Sequence, residues 1–301
     1  DSLGIRRGGA GATPLKLTRY ADRRTGPRAA NRIALVCATG AITSGRSRVT
    51  GGGERQLGSE TLIEALRRAR TRGSVRAIVL RIDSPGGDAA ASDEIWHEVE
   101  KCRRLKPVIV SMSDVAASGG YYIAAAADTI VAEPTTLTGS IGIFGGKFNV
   151  LGLYEKLGLH VETISTGPRA QMYSPFRDFS GDEARVYGAQ LQKSYERFLE
   201  RVAGGRVRSV EWADSVGQGR IWSGVAAAEI GLVDVLGGLE SAIEVARARA
   251  GLSAGDDVSI DRFPEAEEGL LERFLRDLWE SDDSEDLQKA AIVANPLRVL
   301  E

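Results

Sequence analysis

From Arg32 onward, short β-branched apolar runs alternate with longer stretches of helical period, and this alternation constrains the fold more than any other feature. RIALVCA (Arg32 to Ala38), VRAIVLRI (Val75 to Ile82), Pro107 to Met112, Thr129 to Ala132 and His160 to Ile164 read as strands. Helical segments lie between them. One is capped by Ser59 and buries Leu62, Ala65, Leu66 and Ala69; others run from Ser92 to Cys102 and from Tyr121 to Ala127. Thr43 to Gly58 reads as a Gly- and Arg-rich loop. Repeated strand–helix alternation predicts an α/β fold with a largely parallel sheet.

Around this body the composition changes twice. Residues 1–30 are rich in Gly, Arg and Ala, and their arginines and Lys16 outnumber the acids. They read as a linker or domain junction, or as a contact for acidic lipid headgroups. The expected domain spans 31–250, and its later part is helical: Asp182 to Ala203, Val210 to Val216, Val225 to Ile230 and Leu239 to Ala250. Residues 251–301 form an acidic extension whose Leu270, Leu271, Phe274, Leu275 and Leu278 suit docking on the main body or a neighbouring subunit. A formal charge of -2 argues against nucleic acid as a partner. Cys37 and Cys102 follow no ligand spacing, so neither a disulfide framework nor a metal site is expected. No window is apolar enough to span a bilayer, because Asp114 and Asp128 interrupt the most apolar stretch. The chain begins at Asp1, as a fragment or processed form would, so an anchor could lie outside it.

The chemistry gathers at two glycine-rich corners. Asp83-Ser84-Pro85-Gly86-Gly87 closes one strand, and Ala117-Ser118-Gly119-Gly120 closes a later one. In a parallel sheet both strand ends open on the same edge, where such folds bind ligands. Ser118 stands where a strand hands over to the first turn of a helix, whose unpaired N–H groups can receive a developing oxyanion. Taken alone, Ser-Gly-Gly is also an ordinary turn, and Ser140 an ordinary turn serine. His97 and His160 have no partner motif and read as surface or packing residues. Lys147, just after Gly145-Gly146, is an in-chain base candidate, although a loop lysine is usually solvated.

Three passages resemble the signal peptide peptidase A (protease IV) family. They are RAIVLRIDSPGGDAAAS, VSMSDVAASGGYYIAAAADTIVAEPTTLTGSIGIFG and GRIWSGVAAAEIGLVDVLGG, and the likeness extends over about residues 30 to 250. The resemblance implies a Clp-protease/crotonase-like fold of repeated strand-strand-helix units, with a helical C-terminal extension. It also implies a serine–lysine peptidase without a cofactor, acting on signal-peptide remnants or other short apolar peptides. The family's members are usually homo-oligomers associated with the bacterial cell envelope, on its periplasmic or extracytoplasmic face. Carried over by motif, Ser118 is the nucleophile, Gly119 and the Gly86-Gly87 corner supply the oxyanion donors, and Ser140 orients the general-base lysine.

The base departs from the family's single-domain pattern. Between Glu162-Thr163-Ile164 and Ser174-Pro175, Ala170 stands where that lysine belongs, and Arg169 has no lone pair to accept a proton. In double-length members the serine lies in the C-terminal half and the lysine comes from the N-terminal half of the same or an adjoining chain. The resemblance therefore makes this chain the nucleophile-bearing half, folded but nearly inactive until its partner is present. Two readings compete with it: a catalytically dead scaffold, and an acyl-CoA enzyme that holds a thioester enolate with two N–H groups.

Overall fold

The computed structural model describes residues 31–253 and 255–263. The expectations for residues 1–30 and for the amphipathic stretch Leu270 to Leu278 lie outside these.

The chain opens with β1 (Asn31–Thr39) and then builds a small three-stranded sheet from β2 (Ala41–Thr43), β3 (Arg48–Val49) and β4 (Arg55–Gly58), in the order β2-β4-β3. Most of that sheet falls in the stretch expected to be loop. Its strands are too short and too polar to show a period. Helix α1 (Ser59–Thr71) follows, with Gly58 rather than Ser59 at its cap. The 45–47 loop packs against this entrance: Gly45 O accepts from Glu60 N at 3.0 Å, and Ser47 Oγ accepts from Gly58 N at 2.9 Å.

β5 (Val75–Ser84), α2 (Ala89–Arg103), β6 (Val108–Ala117), the short α3 (Gly119–Ala124) and β7 (Thr129–Ala132) form the expected alternation. β8 (Leu137–Gly139) and α4 (Leu151–Lys156) come next. The chain continues through α5 (Gly181–Arg206), α6 (Val210–Val216), β9 (Ile221–Ser223), α7 (Gly224–Glu229), β10 (Val235–Leu236), α8 (Leu239–Arg249) and β11 (Val258–Phe263). Two expectations are corrected here. His160 to Ile164 is not a strand: no neighbouring strand among the described residues offers it a ladder, and Ile164 is 98% exposed. The acidic extension does not begin as a separate unit after residue 250, because β11 pairs in parallel with β1 from Asn31↔Val258 to Val36↔Phe263.

The main sheet runs β10-β7-β6-β5-β1-β11, with β8 beside β6 and β9 beside β8. All its pairings are parallel except β8–β9. Both faces are covered, which is why its strands read as unbroken apolar runs. Ile33, Leu35, Ala77, Val79 and Ile109 pack on α8 through Ala242 and Ala246. The alternate residues, among them Ala34, Val36, Ile78, Leu80 and Val110, point the other way into the larger core with α1, α2 and Phe198 of α5. Each Ile or Leu so buried contributes about 1.5–3 kcal/mol.

Candidate active site

Strand register assembles the site. Ser84 of β5 pairs with Ala116 of β6, so the Pro85–Gly87 corner lies against the Ser118 turn. On the other side of β6, Ala117 pairs with Gly139 of β8, which carries Ser140 alongside Ser118. Gly139 in turn pairs with Ile221 of β9, so Gln218 and Gly219 close the group. Three sheet-edge corners thus meet at the C-terminal ends of parallel strands, where ligands bind in open α/β sheets.

Ser118 occupies a rare backbone conformation, φ 52 and ψ -119, between the end of β6 and the first residue of α3. Its N–H donates to Gly139 O at 2.9 Å, and its carbonyl accepts from Tyr122 N at 2.8 Å, so the turn is fixed at both ends. Among the described residues the non-glycine positions with positive φ are Ser118, Ser140, Val207 and Gln218, and all but Val207 line one cleft. Strain of this kind amounts to roughly 1–3 kcal/mol per residue and persists where the surroundings over-determine it.

The glycines permit a close approach. A Cβ on Gly86 would lie 2.6 Å from Gly119 N and 2.8 Å from Ser118 Cβ, and one on Gly119 would lie 2.5 Å from Ser92 Oγ. Gly86 and Gly87 also sit at φ 98 and 152. The two corners therefore touch backbone to backbone. Their N–H groups differ in availability. Gly86 N donates to Ser84 Oγ at 3.2 Å, and Ser84 Oγ donates to Gly40 O at 2.7 Å. Gly87 N and Gly119 N have no acceptor among the described residues. The corner that sequence reading assigned as a pair is thus divided, with Gly86 giving close approach and Gly87 a free donor.

The cleft has a volume of about 920 Å³. It is lined by Gly86, Gly87, Ser118 and Ser140, by Ile143 and Phe144, and by Gly188, Leu191, Gln192 and Tyr195 of α5. That α5 face was not foreseen, although its i, i+3, i+4, i+7 spacing is the signal of a helix turned toward one surface. The capping box of Ser180 and Glu183 sets where α5 starts. Glu183 is buried, paired with Arg177, and also accepts from Ser180 N at 2.8 Å. The Arg177 bond above all, with the Ser180 N–H, lowers its carboxyl to about 2.

Among the described residues, none lining the cleft carries an amine, imidazole or carboxylate. Tyr195 is the one titratable group there. Burial, and donation of its OH to Asp214 at 2.6 Å, push its pKa up, away from any role as base. Lys147 Nζ donates to Met172 O at 2.9 Å and lies 4.4 Å over the Phe179 ring, both outside the cleft lining. Ala170 is exposed on a turn, with its N–H donating to Gly167 O at 3.2 Å, and Arg169 pairs with Asp182 at 2.7 Å. His97 lies 3.5 Å from Asp93 on α2, and His160 is exposed; neither lines the cleft.

The family model described as Peptidase family S49 matches residues 100–253. "Serine protease SPPA, chloroplastic" of Arabidopsis thaliana is 42% identical over 231 residues, which is 76% of this chain and 34% of that protein. "Protease 4" of Haemophilus influenzae is 37% identical over 265 residues, 87% of this chain and 42% of that one. A putative protease of Synechocystis sp. is 35% identical over 230 residues, covering 76% of this chain and 78% of the relative. The chain therefore spans less than half the length of the first two and most of the third.

Proposed function

Because the chain belongs to peptidase family S49, whose fold is Clp-protease/crotonase-like, we propose that it is the nucleophile-bearing part of a serine peptidase acting on short apolar peptides such as signal-peptide remnants. The observation that carries this reading is a strained serine in an apolar cleft, beside two unengaged backbone donors, with no base among the described residues that line it.

In the proposed reaction Ser118 Oγ attacks the scissile carbonyl carbon, and its proton passes to a neutral lysine amine. The oxygen, now an anion, accepts from Gly87 N–H and Gly119 N–H, each worth about 3 kcal/mol of transition-state stabilisation. The lysine then gives the proton to the leaving amine, and water, activated by the same amine, releases the acyl group from Ser118. Ser140 would hydrogen-bond the amine and aim it. The lysine must lose its charge at working pH, so its pKa must fall from about 10.4 to roughly 7 or 8. That costs about 3–5 kcal/mol, which burial in a closed interface can impose.

The amine comes from an N-terminal homologous half or an adjacent subunit of a homo-oligomer at the membrane. Among the described residues, no helix is long and apolar enough to cross a membrane, so attachment would depend on another segment. Fluorophosphonate labelling of Ser118, measured alone and with the lysine-bearing half added, tests the proposal. Strong labelling only in the mixture supports it. No labelling in either marks a dead scaffold instead. CoA binding with Ser118 unlabelled would favour enolate chemistry, for which a nucleophile strained into a sharp turn has no use.

A further inference from the structure

Gly188 lies well inside α5, where glycine is the least favourable residue apart from proline. Helical glycines are explained by a left-handed φ or by close approach of another backbone. Gly205, in the same helix, is of the second kind, because a Cβ there would collide with the Ala125 carbonyl. Gly188 is of neither kind: its φ is not positive, and a Cβ there would meet nothing within 4 Å. Nor are Gly181 and Gly204, near the two ends of the helix, but those do not line the cleft.

Gly188 does line the cleft, on the same helical face as Leu191 and Tyr195, in a lining that also includes Ile143 and Phe144. Phe144 is 97% exposed, an apolar surface at the cleft wall that nothing in the described residues covers. We propose that Gly188 is a specificity-determining residue: its missing side chain leaves room on the cleft face of α5, in a lining that also holds Ile143, Phe144 and Leu191, for a large apolar side chain of the substrate. This rests on the peptidase reading and adds to it the size of residue the cleft takes.

The test uses the complete enzyme, with its base-supplying segment present, and fluorogenic peptides carrying Phe, Leu or Ala at one position at a time beside the scissile bond. At one of these positions Gly188→Leu should lower the Phe-to-Ala ratio of kcat/KM at least tenfold, mainly through KM. Gly188→Ala should give a smaller shift in the same direction and melt no lower than the parent, which separates specificity from folding. Ratios within twofold of the parent at every position, or a clearly lower melting temperature for Gly188→Ala, would overturn the assignment. If Ser118 still labels with fluorophosphonate in that case, only the role of Gly188 is lost. If the complete parent enzyme neither cleaves nor labels, the peptidase reading falls with it.

Discussion

Ser118 is held in a conformation that an L-residue with a side chain adopts reluctantly, and glycine would relieve it. The strain of about 1–3 kcal/mol exceeds the roughly 0.5–1 kcal/mol that glycine loses in chain entropy. Ser118→Gly should therefore raise stability by about 1 kcal/mol while abolishing hydrolysis by the complete enzyme, as measured by denaturant melts beside peptide assays. A fall in stability would mean that the turn is not strained as the φ of 52 implies. Gly87→Ala should behave differently. Its Cβ would press on Ile42 O, shift the donor N–H, and lower kcat by about a hundredfold or more, as loss of one oxyanion donor does. Both glycine corners could be read in the sequence because only glycine tolerates such contact. What could not be read was which of Gly86 and Gly87 keeps a free N–H. The Ser84 hydroxyl decides that, and its direction depends on Gly40, at the bend between β1 and β2.

Among the elements, the sheet strands were legible because burial on both faces leaves a continuous apolar run, as in Val75 to Ser84. The edge strand β11 was hidden by its polar neighbours and by lying after a helix that looked like the end of the domain. The segment after Phe144 misled, since a β-rich run such as His160 to Ile164 needs a pairing strand and has none among the described residues. Helix α5 is the element through which stability and the cleft meet. Ser180→Ala should cost about 1 kcal/mol by removing the cap oxygen that Glu183 N–H uses at 3.2 Å. Glu183 links this helix to pH. Its carboxyl is held at about 2 in the fold, below the ordinary range near 4.3, so its contribution is complete above about pH 5. It fades as the pH falls toward 2. Melts of Glu183→Gln and the parent should differ most above pH 5 and converge in acid; a gap that widens in acid would contradict the assignment.

For the molecule as a whole, the site is built but lacks a base among the described residues lining it. The parallel register of β5, β6 and β8 brings Ser118, the Gly87 and Gly119 N–H groups and Ser140 together within one chain. Proton transfer is what a second segment would add, along with the dry surroundings that make an amine basic at neutral pH. A companion half whose lysine is replaced by alanine should bind but fail to activate. The most direct measurement is the rate of hydrolysis of a small peptide ester by purified 1–301, alone and with the lysine-bearing half, against Ser118→Ala. The isolated chain should be folded and no faster than Ser118→Ala, and adding the half should restore activity. Full-rate hydrolysis by 1–301 alone, abolished by Ser118→Ala, would contradict this.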